Sequence, residues 1–188
     1  MLFRSEELYQ KVGELSLTDG LTGLRNRRYM DNNLMQFIAL ASRHKVPVCF
    51  AMVDIDLFKL VNDSYGHSAG DAVLKELAEI LIAEFRTSDI IIRYGGDEFI
   101  IVLFDLDMEL STVMMEKLRD KIASHPFKYK NHVISITVSI GITCNKMLDE
   151  PEYSTLGGFI TNSDEALYKA KNAGRNTVTV FTCPKNPA

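Results

Sequence analysis

Two adjacent carboxylates beside a pair of glycines are the residues of this sequence that most clearly indicate chemistry. They are Asp97 and Glu98, which follow Gly95 and Gly96 and precede Phe99. Like charges at one turn repel each other unless a cation lies between them. Hard oxygen ligands of this kind suit Mg²⁺, which keeps several waters and binds substrate phosphates together with few carboxylates. The residues therefore indicate metal-assisted phosphoryl transfer.

A second acidic pair supports this interpretation. Asp54 and Asp56 end an apolar run, residues 46–56, whose composition predicts a buried strand. If that strand lies beside the segment with Asp97 and Glu98, the carboxylates converge at one end of a sheet. The alternative is that Asp97 and Glu98 are solvated turn residues, as acidic residues at tight turns usually are. Spacing alone leaves both interpretations open.

Four segments, in order along the chain, resemble one bacterial family. The string GGDEF at residues 95–99 resembles the defining signature of the GGDEF family, the diguanylate cyclases. Residues 19–27, 54–71 and 164–176 resemble the family's DxLTGLxNR opening, its DIDxFKxxND…GHxxGD segment and its DxALYxAKxxGRN close. The resemblance covers about residues 16–182, without a departure at positions that the family uses for chemistry.

The resemblance implies roles for the acidic residues. Asp54, the backbone carbonyl of Ile55, Asp97 and Glu98 would hold Mg²⁺, or alternatively Mn²⁺, against the triphosphate of GTP. Asp97 or Glu98 would also assist deprotonation of the ribose 3′-hydroxyl, and we favour Asp97 as this base. The 3′-oxygen of one GTP would displace pyrophosphate from a second GTP. A second round of the same reaction would give cyclic di-GMP.

The same resemblance assigns phosphate contacts. Backbone amides near Phe58 and Lys59 would cradle phosphate, and Lys171 and Arg175 would meet the β- and γ-phosphates. Their i, i+4 spacing predicts that Lys171 and Arg175 share one face at a helix end. Without the resemblance, the two cations would read as a solvated helix C-terminus that complements the helix dipole.

Guanine recognition is assigned in the same way. Asn62 and Asp71 match guanine-contacting positions of the family, and His67 matches its GH pair and is expected near the nucleotide. A carboxylate can accept hydrogen bonds from both N1–H and the N2 amino group of guanine, and adenine offers no such donor pair. Asp71 therefore favours GTP over ATP. The alternative for Asp71 is N-capping of a helix that begins at Ala72.

Arg86 and Asp89 form an RxxD pattern, and five residues separate Asp89 from Gly95. This offset resembles the family's inhibitory site for its product. A guanidinium can engage guanine edges or phosphates through two hydrogen bonds at once. The alternative is a local salt bridge at a helix end. The resemblance thus implies feedback inhibition by cyclic di-GMP.

The rest of the sequence predicts the elements that must position these residues. Apolar residues recur at helical spacing in four segments, residues 27–44, 72–85, 109–123 and 163–176. Strand patterns occur in four others, residues 46–56, 90–104, 127–142 and 177–182. The segments 90–104 and 127–142 predict hairpins, the second with its turn at Lys130 and Asn131. Polar residues and glycines predict a loop over residues 57–71, and Gly174 is expected to close the last helix.

This order of elements predicts one α+β domain with a largely antiparallel sheet. The resemblance implies a ferredoxin-related, palm-like core, in which helices flank a central, mostly antiparallel sheet, with a small extra hairpin. We expect a linker helix stub over residues 1–16, a catalytic domain over 17–183 and a tail over 184–188. Family members usually carry a sensory domain before the catalytic one, so we expect such a domain upstream of this chain.

Composition excludes several classes of protein. The 188 residues contain 21 Lys and Arg against 25 Asp and Glu, a net charge of −4, which lacks the basic excess of a nucleic-acid binder. No apolar run approaches the roughly 18 residues of a membrane span, and the N-terminus does not read as a secretory signal. We expect a cytoplasmic location. Cys49, Cys144 and Cys183 have neither disulfide-framework nor zinc-site spacing, and we interpret them as inert apolar residues.

Three hypotheses follow for the function. In the first, the chain is an active diguanylate cyclase, and catalysis needs a homodimer because each subunit supplies one GTP half-site. In the second, the same fold binds GTP or cyclic di-GMP as a catalytically silent signalling module. The third is a palm domain like that of polymerases or adenylyl cyclases. The intact Asp97 and Glu98 favour the first hypothesis over the second, and the complete set of motifs favours it over the third.

Overall fold

The computed structural model describes residues 17–145 and 155–182. Within these ranges the helices are α1 (Arg27–Arg43), α2 (Phe58–Tyr65), α3 (His67–Glu84), α4 (Met108–Ser124) and α5 (Leu156–Asn172). The strands are β1 (Arg25–Asn26), β2 (Val48–Ile55), β3 (Ile90–Gly95), β4 (Glu98–Phe104), β5 (Phe127–Tyr129), β6 (His132–Ile134), β7 (Val138–Cys144) and β8 (Val178–Val180). The linker helix expected over residues 1–16, the tail over 184–188 and Cys183 lie outside the described residues.

The central sheet is mixed, with antiparallel strands in its middle. Its strand order is β1-β3-β4-β2-β7-β8, and β5 and β6 form a separate two-stranded hairpin. The pairs β3–β4, β4–β2 and β2–β7 are antiparallel, and the edge pairs β1–β3 and β7–β8 are parallel. The α+β architecture with a mostly antiparallel sheet and a small extra hairpin is therefore confirmed.

Helices cover both faces of this sheet. Because side chains alternate along a strand, Phe50 and Ile100 pack in the cluster that includes α1 and α5. Val53 and Ile101 belong to the cluster that includes α3 and α4. Strand β2 is buried along its whole length. Its polar residues therefore come at its end, where the apolar layers stop.

Helix α5 lies unusually close to the sheet at Gly141. A Cβ atom at this position would be 2.1 Å from the carbonyl oxygen of Ser163 and 2.2 Å from the backbone nitrogen of Leu167. Only glycine leaves room for this approach of helix backbone to strand β7. The contact sets the height of α5 above the sheet and so brings its last turn near the end of β2.

The start of α5 differs from the prediction. The helix begins at Leu156, where Thr155 caps it by accepting a hydrogen bond from the Gly158 amide at 3.0 Å, seven residues before the predicted start at Ser163. Ser163 lies inside the helix, and its hydroxyl donates to the carbonyl of Phe159 at 2.8 Å. Serine is a residue type typical of N-caps, but inside a helix its hydroxyl can instead donate to a carbonyl of the preceding turn, as Ser163 does.

The prediction of a loop over residues 57–71 is wrong, because α2 and the first turn of α3 occupy this segment. Helix α2 is only eight residues long and buries just Phe58 and Val61, too few residues for a recognisable helical period. Gly66, at φ 85°, separates the two helices. Gly70 is buried in α3 because the helices pack tightly there, and a Cβ atom at Gly70 would lie 2.0 Å from Oδ1 of Asn62.

The other elements follow the predictions within a few residues. Helices α1 and α4 and the hairpin of β3 and β4 are confirmed. The turn between β5 and β6 contains Lys130, at φ 52°. The segment 127–142 is divided, however, since β7 leaves this hairpin and pairs with β2 and β8 in the central sheet.

The interpretation of two cysteines as inert is wrong. Cys49 on β2 and Cys144 on β7 are directly opposite each other, with Cα atoms 4.0 Å apart, and form a disulfide. The two residues are 95 positions apart in the sequence, and their pairing depends on the register of two strands. Spacing along the chain carries no signal of such a contact.

Candidate active site

The end of the central sheet gathers the acidic residues. Asp54 on β2 is directly opposite Glu98 on β4, so the two side chains lie on the same face of the sheet. Asp97 occupies the turn between β3 and β4, and its carbonyl accepts a hydrogen bond from the Ile55 amide at 3.3 Å. The turn thus brings Asp97 and Glu98 beside the end of β2.

Burial and mutual repulsion perturb these carboxylates. Asp54 is only 7% exposed, and this burial, with the charges of Asp97 and Glu98, raises its pKa to about 6. Lys171 opposes the rise, since its Nζ lies 2.8 Å from Oδ2 of Asp54. Burial also raises the pKa of Glu98, Lys171 opposes that rise too, and the charges of Asp97 and Asp164 add to it. Acidic charge exceeds basic charge at this end of the sheet, which favours a bound cation.

These residues fit a Mg²⁺ ion that is held jointly with a nucleotide. Among residues 17–145 and 155–182, no three His, Cys, Asp or Glu side chains are grouped closely enough to hold a metal by themselves. Asp54 and Glu98 with a nearby backbone carbonyl form a smaller, all-oxygen donor set. Mg²⁺ commonly takes one or two carboxylates and completes its shell with waters and substrate phosphates.

The raised pKa of Asp54 predicts a pH-dependent stability. The carboxyl group of Asp54 binds its proton more tightly in the folded protein than in the unfolded chain. Protonated Asp54 therefore stabilises the fold fully below about pH 4, and this stabilisation is lost as the pH rises through about 6. Asp54→Asn cannot ionise. In metal-free buffer its free energy of unfolding, relative to wild type, should rise by up to about 3 kcal/mol from pH 4 to pH 7.5.

Urea unfolding at several pH values measures this difference. The loss of the Lys171 contact shifts the variant by an amount that does not follow this titration, so the slope with pH is the readout. The control is Asp63→Asn, which replaces an exposed carboxylate of α2. A difference between Asp54→Asn and wild type that stays constant across this range would contradict the prediction.

Lys171 and Arg175 do not share a helix face, contrary to the prediction. Helix α5 ends at Asn172, and the chain turns at Gly174 with φ 115°. Arg175 follows in the left-handed region, at φ 65°, and is exposed. Lys171 points to Asp54. Lys171 is therefore not a solvated helix end, and Arg175 is placed by the loop after the helix.

The residues assigned to the nucleotide lie around α2 and the start of α3. Phe58 and Lys59 form the first turn of α2, which has no side-chain cap, so its amides are available to an anion. Asn62 is on the same helix, packed against Gly70. Asp71 is exposed in the second turn of α3.

The N-cap interpretation of Asp71 is wrong. Helix α3 begins at His67, which is exposed, and its N-cap is Gly66. Asp71 is therefore inside the helix and does not cap it. Asp71 and Asn62, both assigned to guanine, belong to two helices that pack against each other.

An arginine that the sequence analysis missed holds the turn. Nε and Nη2 of Arg93 donate to the carbonyl of Gly96 at 3.1 and 2.8 Å. Its Nη1 donates to Asp19 at 2.9 Å. Burial alone would raise the pKa of Asp19, but hydrogen bonds from Thr22 and Arg93 hold it below its usual value. This network ties the turn that carries Asp97 to the start of the domain.

Arg27 and Asp164 were also missed. The guanidinium of Arg27 lies 4.7 Å from the ring centroid of Tyr94, and its charge lowers the pKa of Glu98. Asp164 on α5 acts in the opposite direction. Both positions belong to the family motifs quoted above, but nothing in their spacing indicated that α1 and α5 approach Glu98.

Arg86 and Asp89 form a compact turn after α3. The carboxylate of Asp89 accepts a hydrogen bond from the backbone amide of Arg86 at 3.0 Å, and the Asp89 amide donates to the Arg86 carbonyl at 3.0 Å. Asp89 thus binds the backbone of Arg86 rather than its guanidinium. The arginine side chain is exposed on this turn.

Comparison with known proteins identifies the family to which this chain belongs. The family model "Diguanylate cyclase, GGDEF domain" matches residues 16–177. The chain is 41% identical over 165 residues to diguanylate cyclase DgcP of Pseudomonas aeruginosa, covering 88% of this chain and 24% of DgcP. It is 36% identical over 167 residues to the response regulator PleD of Caulobacter vibrioides, covering 88% and 36%. The chain thus spans about a quarter to a third of these relatives.

This chain is similar to a solved GGDEF domain over nearly the whole length of that domain. The GGDEF domain of DgcB from Caulobacter crescentus, in complex with c-di-GMP, superposes with a TM-score of 0.82 at 32% identity. The match covers 88% of this chain and 96% of that domain. Among the described residues, no helix is long and apolar enough to cross a membrane.

Proposed function

Since this chain belongs to the GGDEF family of diguanylate cyclases, we propose that it condenses two molecules of GTP into cyclic di-GMP and releases two pyrophosphates. One observation carries the proposal. Asp54 is gathered at one end of the central sheet with Asp97 and Glu98 of an intact GGDEF string, and Lys171 pairs with Asp54. This arrangement suits the transfer of a nucleotidyl group.

The chemistry we propose uses these carboxylates for two tasks. Members of the family use a divalent metal, and we propose Mg²⁺, held by Asp54, the Ile55 carbonyl, Asp97 and Glu98. The ion would supply charge neutralisation at the phosphates. Both GGDEF carboxylates would contact the ion, and we propose Asp97 as the one that accepts the proton of the 3′-hydroxyl, because it lies in the turn whereas Glu98 directly opposes Asp54. The 3′-oxygen then bonds to the α-phosphorus of the other GTP as the bond to pyrophosphate breaks.

Three sets of residues would hold the triphosphate and the base. The backbone amides of Phe58 and Lys59 would donate hydrogen bonds to phosphate oxygens at the uncapped start of α2. Lys171 and Arg175 neutralise the β- and γ-phosphates. Asn62, Asp71 and His67 take the guanine end, on α2 and α3.

Two GTP molecules require two sites, and the part of the chain that the structure describes carries one such set of residues. We therefore propose that catalysis takes place between two copies of the chain, each presenting its own GTP. The relatives DgcP and PleD are longer than this chain, and we propose that a regulatory domain acts on the catalytic one. The alternative is a silent module that binds GTP or cyclic di-GMP, against which the complete acidic set argues.

The direct test is the purified protein with GTP and Mg²⁺ at a series of protein concentrations, with products separated by anion exchange. We expect cyclic di-GMP, and a rate per subunit that rises with protein concentration. Nucleotide binding without product at every concentration would overturn the cyclase proposal and favour the silent module. A rate per subunit independent of concentration, from a protein that remains monomeric, would overturn the requirement for two copies.

We further propose that Arg86 and Asp89 form an inhibitory site for cyclic di-GMP. The Asp89 carboxylate is fixed on the Arg86 amide, which leaves the exposed guanidinium to reach a guanine edge or phosphate. Arg86→Ala should leave the initial rate similar and raise the inhibition constant for added product about tenfold or more. Arg43→Ala, an exposed arginine at the end of α1, is the control. Unchanged inhibition in Arg86→Ala would remove this assignment.

A further inference from the structure

The loop after α5 has an unusual backbone. Gly174, Arg175 and Asn176 have φ angles of 115°, 65° and 45°, three positive values in succession. For residues other than glycine this region is costly, and such a conformation persists only where its surroundings hold it. The loop carries Arg175, which we have assigned to the terminal phosphates. Whatever holds the loop therefore also sets the direction of this arginine.

Asp56 holds one side of the loop. Its Oδ2 accepts a hydrogen bond from the Asn176 amide at 3.0 Å. The hydroxyls of Thr137 and Ser139 donate to the same carboxylate, each at 2.6 Å. Asp56 is only 7% exposed, and these three bonds tie it to the loop and to the start of β7. Asp56 thus has a structural task that differs from that of its neighbour Asp54.

Arg119 of α4 holds the other side. Its Nη1 donates to the side-chain oxygen of Asn176 at 2.9 Å, across 57 residues of sequence. Glu116 accepts from its Nε at 2.8 Å, and Asp120 also pairs with it. The Arg119 side chain is 15% exposed, against 43% for Glu116 and 70% for Asp120. Two carboxylates thus fix the guanidinium, which leaves one of its nitrogens aimed at the loop.

We infer that Arg119 is a positioning residue for GTP, which acts through Asn176 to aim Arg175 at the terminal phosphates. Within the described residues, the hydrogen bonds and ion pairs of Arg119 join it to Glu116, Asp120 and Asn176. Arg119 donates a hydrogen bond to the side chain of Asn176, and Asp56 accepts one from the backbone amide of the same residue. The residue next to Arg175 is therefore fixed by α4 on one side and by Asp56 on the other. The inference rests on the proposed role of Arg175 in phosphate binding.

Such a role has a signature that general stabilisation lacks. Asn62 and Asp71, assigned to guanine, lie on α2 and α3 and not on this loop. Loss of the Arg119 contact should therefore weaken binding of a nucleotide with β- and γ-phosphates. Binding of a nucleotide without them should be unaffected.

Isothermal titration of the folded protein in Mg²⁺ buffer measures this selectivity. The probes are 3′-deoxy-GTP, which lacks the attacking hydroxyl and cannot react, and GMP at high concentration. We expect Arg119→Gln to weaken 3′-deoxy-GTP about fivefold to tenfold and to leave GMP unchanged. Lys121→Gln is the matched control, since it removes another cation of α4, one that pairs with Glu84 of α3. This variant should bind both probes like wild type.

Arg119→Lys provides a second test if Arg119→Gln does not fold. It keeps the charge between Glu116 and Asp120 but lacks the planar fork that reaches Asn176 at the same time. We expect the same selective loss, about threefold or more. Equal weakening of 3′-deoxy-GTP and GMP, or no weakening of either in a folded variant, would overturn the inference.

Arg175→Gln separates this inference from the function on which it rests. If Arg175→Gln binds 3′-deoxy-GTP like wild type, the proposed phosphate contact itself is wrong. If Arg175→Gln weakens binding and Arg119→Gln does not, only the positioning role is wrong. In the double variant Arg119→Gln should add little to Arg175→Gln, because both act on one contact. Fully additive losses would show that Arg119 acts by another route.

Discussion

Replacing Glu98 with glutamine should abolish cyclic di-GMP formation and leave the protein folded. The amide has nearly the same shape as the carboxylate but removes a negative charge directly opposite Asp54. Because burial and like charges raise the pKa of Glu98, its ionised form costs stability, and the variant should be no less stable than wild type. We expect turnover to fall by about 10³ or more.

Asp97→Asn should have an effect of similar size, since Asp97 is the proposed base. The matched control is Asp105→Asn at the far end of the same hairpin, at φ 57°, a conformation that asparagine tolerates. Product formation by anion exchange and the urea midpoint are measured for all three variants. A folded Glu98→Gln or Asp97→Asn variant with near wild-type turnover would sink the catalytic assignment.

Replacing Asp71 with asparagine should reduce kcat/KM for GTP by about 10² or more. A carboxylate accepts hydrogen bonds from both N1–H and the N2 amino group of guanine, whereas an amide presents one acceptor and one donor. The donor then meets a guanine donor. Because Asp71 is exposed within α3 and is not its N-cap, the substitution should leave the urea midpoint close to that of wild type.

Inosine triphosphate separates recognition from a general loss of activity, since it lacks the N2 amino group of guanine. Wild type should prefer GTP to inosine triphosphate, and Asp71→Asn should lose most of this preference. Asp63→Asn, an exposed aspartate on the neighbouring helix α2, should keep it. An Asp71→Asn variant that discriminates between the two nucleotides as wild type does would remove Asp71 from guanine recognition.

Long periodic segments were predictable because their apolar residues report one buried face. Helices α1 and α4 and the hairpin of β3 and β4 lie within a residue or two of their predicted bounds. Short helices were not predictable, since α2 buries only Phe58 and Val61. The serine at 163 was misread as a helix start because its hydroxyl bonds to the preceding turn inside α5.

The candidate site divides along similar lines. The acidic residues and Lys171 were named from motifs, and the gathering of the acidic residues at one end of the sheet follows from the antiparallel register of β2 and β4. The motifs did not reveal that Arg93 holds the Gly96 carbonyl or that Arg27 lies near Glu98. They also did not reveal that Lys171 and Arg175 lie on different elements, since Lys171 belongs to α5 and Arg175 to the left-handed turn after it.

The amino-acid sequence by itself determined the family, the order of elements and the residue types available for chemistry, because these are properties of local patterns and ordered motifs. The tertiary structure decided which residues share an environment. Asn176 meets Asp56 across 120 residues and Arg119 across 57, and Cys49 meets Cys144 across 95. Such contacts arise from strand register and from the close approach of α5 at Gly141. Neither the strand register nor this close approach can be predicted from the spacing of residues along the chain, because each depends on how separate elements pack.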